Sequence, residues 1–300
     1  MAHTHLAPRP LAAGKGDEQG LTMKITFTKM HGAGNDFVLI DDRDGSIPWE
    51  DHFLMASLAT RRIGIGCEGV ILVQRSDKAD ARMRFLNPDG TEVEMCGNGA
   101  RCAAAFAHGI GACGKALTME TVCGLVDAQV NGSNVCVWMP EPLNKSYAVD
   151  IEIDGEPLRG HFISVGVPHF VVPVPNVSAL DVETLGRKVR LHPEFAPDGV
   201  NVNFVTFRKP NRMTMRAYER GVEAETGASG TGAVACSVVG VETEGLTLPA
   251  KVKTSLGFEL TIDGDWRHRK CTGLTLTGPV KFVYTGEIDL SALDMGCEVS

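Results

Sequence analysis

Cys96 and Ser229 each stand directly before a Gly-x-Gly-Ala turn and a run of small residues. The two stretches are EMCGNGARCAAA, from Glu94, and GASGTGAVACSV, from Gly227. A turn that opens a helix carries backbone N–H groups without helical partners, at the positive end of the helix dipole. It suits a small anion such as a carboxylate. A cysteine at such an end is expected to have a lowered pKa and thiolate character. One copy says little, because most Gly-x-Gly turns are structural and a lone cysteine is more often a core residue. Two copies facing each other would surround one ligand with two helix ends and set one side chain against each face of a carbon. That geometry suits removal of a proton from one face and its return on the other, as in racemisation or epimerisation. Without an electron-sink cofactor, such chemistry needs fixed electrostatics and exclusion of water. Neither turn fits the dinucleotide fingerprint Gly-x-Gly-x-x-Gly, and no other clear cofactor motif is present.

The two side chains are unequal. A thiol, with a pKa near about 8.5, can act as acid or base near neutrality. A serine hydroxyl is far too weak an acid to ionise without help. Ser229 could give a proton in one direction, but reversibility requires it to take one back. His169 is a candidate helper, against the competing reading of a structural histidine holding a loop. Cys236 lies seven residues beyond Ser229, nearly two helical turns deeper, and is not expected to replace the missing thiol.

The elements that must hold these residues come from a repeat. Positions 96 and 229 differ by 133, as do Gly124 and Gly257, and Phe37 and Phe170. Asn87 and Arg220 each lie nine residues before the turn residue of their own half. MRFLN and TMRAYER read as strands entering the turns, and GARCAAAFAHG and GTGAVACSVVG as the helices leaving them. Later strands follow in ALTMETVCGLVDAQV and VCVWM, and again in KVKTSLGFELTID and GLTLTG. The expected fold is α+β, with two domains related by a pseudo-two-fold axis, each a β-sheet wrapped around a central helix. The first domain spans 23–138 and takes back the tail 279–300; the second spans 139–278. Residues 1–22 are rich in Gly, Pro and polar types, lack the apolar core of a signal peptide, and read as a disordered extension.

Composition narrows the class. The chain has 300 residues and a net charge of −8, which argues against nucleic-acid binding. No stretch is long and apolar enough to span a bilayer. Its nine cysteines contain no Cys-x-x-Cys, so no metal site is expected and the thiols read as free in a reducing cytosol. A cytoplasmic location follows from the same reading. His3 and His5 of the extension are not expected to be ligands.

In order along the chain, KMHGAGNDFVLID, RRIGIGCEGV, FLNPDGTEVEMCGNGARC, VPHFVV, VNVNFV, YERGVEAET and LTGPVKFVYTGEI resemble diaminopimelate epimerase. The resemblance runs from Met23 to Leu290. It implies a cofactor-independent enzyme of two domains that converts LL- to meso-diaminopimelate for lysine and peptidoglycan synthesis. Cys96 then matches one catalytic cysteine, and Ser229 stands where the second is expected. Gly97 and Asn98, and Gly230 and Thr231, match the amides that receive the reacting carboxylate. Asn35, Asn87, Asn201, Glu219 and Arg220 match substrate-binding positions. Chemically, Arg220 can clamp a distal carboxylate and Glu219 can accept from an ammonium. The implied partner is a small amino-acid substrate; oligomeric state is left open, a homodimer included.

The sequence departs from the family pattern at two site positions. Ser229 replaces the cysteine of Ala-Cys-Gly-Thr-Gly, and Val167 replaces the asparagine of Asn-Pro-His. A smaller change puts Glu68 where aspartate is usual. Two other readings therefore stay open. One is a racemase, epimerase or eliminase of a different amino acid. The other is a substrate-binding family member or variant crippled in catalysis.

Overall fold

The computed structural model describes residues 24–93, 96–267 and 270–293. The expected extension over 1–22 lies outside the described residues. The fold is mixed α+β. Its first half runs β1 (Lys24–Gly32), β2 (Asn35–Asp41), α1 (His52–Ala59), β3 (Val70–Gln74), β4 (Ala81–Leu86), α2 (Gly97–Gly109), β5 (Ala116–Thr121), β6 (Gly124–Asn131) and β7 (Asn134–Trp138). The second half runs β8 (Leu143–Ile153), β9 (Glu156–Val165), β10 (Val167–Pro173), α3 (Val182–Arg190), β11 (Asn201–Arg208), β12 (Arg212–Glu219), β13 (Ala224–Thr226), α4 (Gly230–Glu244), β14 (Ala250–Lys253), β15 (Glu259–Arg267) and β16 (Lys270–Asp289).

Strands β1 to β7 pair in sequence order, and β16 pairs with both β7 and β1, closing a barrel. The same order of pairings recurs from β9 to β16 and is left open at β8. Strand β16 belongs to both halves. It pairs with β15 over its first part and with β1 from Val280 onward. GLTLTG, expected as a strand of the second half, thus runs without a break into the tail that returns to the first half. Pro279 does not break it, because the ladder changes partner there: the Pro279 carbonyl accepts from Ala33 and Val280 donates to Ser133.

Helix α2 fills the barrel. Its interior is alanine-rich and buried on all sides, since an enclosed helix has no solvent face and small side chains let strands pack close around it. The parallel pair β2–β3 is apolar on both faces for a related reason. Phe37, Leu39, Ile71 and Val73 point to α2, whereas Val38, Ile40, Val70 and Leu72 point to α1. Around α4 the same division holds: Val171 and Val205 face inward, and Phe170, Val172, Val202 and Phe204 pack with residues of α3. Helix α4 runs past Gly240 to Glu244 and stops at Gly245, whose φ of 69° is left-handed.

The ladders correct part of the repeat. Met30 pairs with Phe37, and Ile163, which is 133 residues after Met30, pairs with His169. His169, not Phe170, therefore occupies the position of Phe37. The turn into β10 is one residue shorter than the turn into β2, and a one-residue shift moves a side chain to the other face. By the same register Val167 takes the place of Asn35. Carried through β3–β4 and β11–β12, it sets Glu219, rather than Arg220, opposite Asn87.

Candidate active site

Helices α2 and α4 meet end to end. A Cβ placed on Gly230 would lie 3.4 Å from Gly97 Cα and 2.9 Å from Leu276 Cδ2, so only glycines allow this approach. Beside the junction lies a cavity of about 650 Å³. It is lined by Asn35, Asn87, Cys96, Gly97, Asn98, Asn201, Glu219, Arg220, Ser229, Gly230 and Thr231, together with Glu68, Val167 and Thr226. The first amides of an α-helix lack helical partners, so the cavity wall is electropositive where the two ends converge.

Cys96 and Ser229 are the N-caps of the two helices. Gly99 N–H donates to Cys96 Sγ at 3.5 Å, and Gly232 N–H donates to Ser229 Oγ at 3.3 Å. Their other contacts differ. The Cys96 thiol donates to Asn35 Oδ1 at 3.5 Å. The Ser229 hydroxyl donates to Glu219 Oε2 at 3.1 Å.

Burial pushes the Cys96 thiol up to about 11; the Gly99 N–H pulls the other way, and the charge of Glu219 adds to the rise. The expected lowering at the helix end is therefore overturned. The end does favour the thiolate, but loss of solvent outweighs it. Burial also raises the Glu219 carboxyl above its ordinary range, against hydrogen bonds from Thr226 and Ser229, and Glu68 adds to the rise.

The remaining polar residues divide by what they touch. Arg220 forms no ion pair among the described residues, and its backbone N–H donates to Asn201 Oδ1 at 2.9 Å. The Asn201 amide nitrogen donates to the Pro168 carbonyl at 3.3 Å, so this side chain fixes the segment that carries Arg220. Asn35 also donates to Glu68. Asn98 ties the halves together, donating to Asn35 Oδ1 at 3.1 Å and to the Ala228 carbonyl at 2.9 Å.

His169 is not brought to the cavity. It is fully buried on β10 and accepts at Nδ1 from Asn203 at 3.0 Å, while its Nε2 has no partner among the described residues. Burial lowers its pKa to about 3, with the charge of Arg220 adding to the fall. Asn203 in turn reaches under α4, where a Cβ on Gly232 would strike its Oδ1. Cys236 is fully buried inside α4 and does not line the cavity.

Sequence reasoning missed Arg101. Its guanidinium is fully buried beneath the end of α2 without a carboxylate partner among the described residues, donating to the Gly97 carbonyl at 3.1 Å and to Asn98 Oδ1 at 2.7 Å. The signal was its spacing: four residues after Gly97, on a helix with no exposed face, it must turn back under the helix start. Thr226, which donates to Glu219, carried no signal in the sequence.

The family model described as diaminopimelate epimerase matches residues 27–142 and 161–283. A diaminopimelate epimerase of Aquifex aeolicus is 40% identical over 286 residues, covering 90% of this chain and 100% of the relative. One from Archaeoglobus fulgidus is 40% identical over 231 residues, covering 72% and 81%. Among solved structures, a PhzF-family phenazine biosynthesis protein of Bacillus anthracis has a TM-score of 0.71 at 17% identity, covering 89% of this chain and 99% of that one. A hydroxyproline epimerase of Agrobacterium vitis has a TM-score of 0.66 at 18% identity, covering 89% and 93%. At such identities these structures establish a shared fold.

Proposed function

The chain belongs to the diaminopimelate epimerase family, and on that premise we propose that it interconverts LL- and meso-diaminopimelate by proton transfer at two faces of one carbon. One observation carries this reading. Two helix ends, capped by Cys96 and Ser229, converge at Gly97 and Gly230 on a single cavity. The substrate's reacting carboxylate binds the amides of Gly97, Asn98, Gly230 and Thr231. Charge that builds on it as the Cα–H bond breaks is met by amides already in position. Arg220 receives the distal carboxylate, and Asn201 holds Arg220 in place. Asn35 and Asn87 border the substrate on the first half. The halves act as two domains related by a pseudo-two-fold axis, 23–138 with 279–300 and 139–278, and the cleft between them is the site. Lysine and peptidoglycan precursor synthesis in the cytoplasm is the corresponding role. No helix among the described residues is long and apolar enough to cross a membrane.

One feature favours a second reading. Val167 lines the cavity at the position equivalent to Asn35, where the family pattern has asparagine. An apolar side chain there removes a polar contact and suits a substrate with a less polar distal end. The deciding experiment measures deuterium entry at Cα in heavy water for LL-diaminopimelate, meso-diaminopimelate and lysine. Exchange and inversion of diaminopimelate, with lysine poor, support the first reading. Exchange of another amino acid in place of diaminopimelate supports the second.

A further inference from the structure

We propose that Glu219 is the terminal proton acceptor and donor on the second face, acting through Ser229, whose hydroxyl serves as a relay. This rests on the epimerase reading above and gives Glu219 a role other than binding the substrate ammonium.

The geometry carries the argument. The two N-caps are equivalent in the fold but not in what they donate to. Cys96 donates to an amide oxygen, that of Asn35, which cannot accept a proton outright. The equivalent position in the second half is Val167, which offers no acceptor. Ser229 turns instead to Glu219 Oε2 at 3.1 Å, within the range for proton transfer. Thr226 donates to the other oxygen, Oε1, and so fixes the carboxylate plane. Both oxygens are thus engaged by hydroxyls of the protein. Ser229 is 2% exposed, so its hydroxyl is shielded from bulk water, whereas Glu219 is half-buried at the cavity wall.

The chemistry balances without ionising serine. As the substrate Cα–H bond breaks, that proton bonds to Ser229 Oγ while the Ser229 Oγ–H proton passes to Glu219 Oε2. The electron pair of the Cα–H bond is left on the substrate and spreads into its carboxylate. The Cys96 thiol then gives its proton to the opposite face and becomes a thiolate. In reverse, Cys96 takes a proton, Glu219 returns one to Ser229, and Ser229 passes one to Cα. A weak nucleophile or base activated by an adjacent stronger base is the same logic as in serine hydrolases. The raised carboxyl pKa of Glu219 brings it nearer neutrality, where a general base works best.

The test uses the full chain with LL- and meso-diaminopimelate in heavy water, following both inversion and deuterium entry at the reacting carbon. Glu219→Gln keeps the size and a hydrogen-bond acceptor but cannot take a proton. It should slow inversion by about 100-fold or more, the usual range for a lost general base. Deuterium should still enter the isomer whose α-hydrogen faces Cys96, within a few-fold of the unaltered rate. Ser229→Ala, which leaves Glu219 in place, should give the same one-sided pattern. Adding Ser229→Cys to Glu219→Gln should restore inversion, because a thiol needs no relay, and should move the controlling pKa from the carboxylate to the thiol range. Unchanged inversion in Glu219→Gln overturns the relay. So does an equal loss of exchange on both faces with a raised KM, which is what an ammonium-binding carboxylate would give. If the unaltered protein exchanges neither isomer, the epimerase reading fails and the relay falls with it.

Discussion

Gly97 and Gly230 stand against each other at the meeting point of two helix ends, close enough that a Cβ on either would come within 3.0 Å of Leu276. The two turns therefore meet at one place, with Leu276 of the shared strand β16 packed against both glycines. Because the contact is backbone to backbone, the separation of the two ends is set by the absence of side chains. Gly230→Ala should force them apart. Overpacking of this kind costs about 1–3 kcal/mol of stability, and misplacement of the amides should lower kcat more than tenfold, by about 1.4 kcal/mol or more in the barrier. Urea unfolding and steady-state inversion rates measure the two effects. A stable, fully active variant would mean that the helix ends need not touch.

The high pKa of Cys96 sets its resting state. With the thiol pushed up to about 11, Cys96 is expected to be protonated near neutral pH. Alkylation by iodoacetamide should therefore be slow at pH 7 and rise about tenfold per pH unit toward the thiol's pKa, since only the thiolate reacts. The charge on Glu219 contributes to that rise. Glu219→Gln should thus move the alkylation curve to lower pH. The measurement is the pH dependence of mass-detected Cys96 labelling, and an unmoved curve would separate the two groups electrostatically.

The paired turns were legible in the sequence because helix N-caps have a local signature, and both Cys96 and Ser229 cap helices at the expected residues. Gly124 and Gly257 likewise take the same left-handed backbone, with φ of 113° and 84°. What the sequence hid was the result of burial and of strand register. The motif around Cys96 states that a helix end is near but not how far the cavity wall encloses the residue, and burial reversed the sign of its shift. The match of Phe37 with Phe170 looked sound, yet a turn one residue shorter placed His169 in the core position instead. The contact of Ser229 with Glu219 needed the ladder from β11 to β12 before it could be seen.

His169 should make the fold acid-sensitive. Its folded pKa lies near 3, below the ordinary histidine value, because burial disfavours the cation. The unfolded chain therefore binds a proton first as pH falls. Stability contributed by the neutral ring is complete above the unfolded pKa of about 6.5 and declines by up to about 1.4 kcal/mol per pH unit below it, until the folded pKa is reached. His169→Gln keeps an acceptor for Asn203 and has no proton to gain, so its stability should fall less steeply between pH 6.5 and 4. Unfolding midpoints across that range test this, and parallel curves for the two proteins would assign the acid loss to other groups.

Arg101 separates what the site needs for folding from what it needs for chemistry. Its guanidinium is fully buried, and among the described residues Nε has no partner and no carboxylate pairs with it. Removing a buried cation relieves a desolvation cost of several kcal/mol, and replacing buried charges by apolar residues is often neutral or stabilising. Against that, Arg101→Met would leave Asn98 Oδ1 without its donor, at about 1–3 kcal/mol, while the Gly97 carbonyl keeps its helical bond from the backbone N–H of residue 101. These terms oppose, so the stability of Arg101→Met should change little. Its activity should not survive in the same way. Asn98 lines the cavity and donates to Asn35, which accepts from the Cys96 thiol, so loss of Arg101 should loosen the residues proposed to bind substrate and to orient the thiol. The positive charge behind the proposed carboxylate position is also lost, in a low-dielectric setting where it counts most. Inversion should fall at least tenfold, in kcat more than in KM, and the alkylation curve of Cys96 should move to higher pH because Arg101 favours the thiolate. Arg101→Lys, which keeps the charge but not the fork, should recover part of the rate and most of the Cys96 titration. A Met variant that inverts normally would reduce Arg101 to a packing residue.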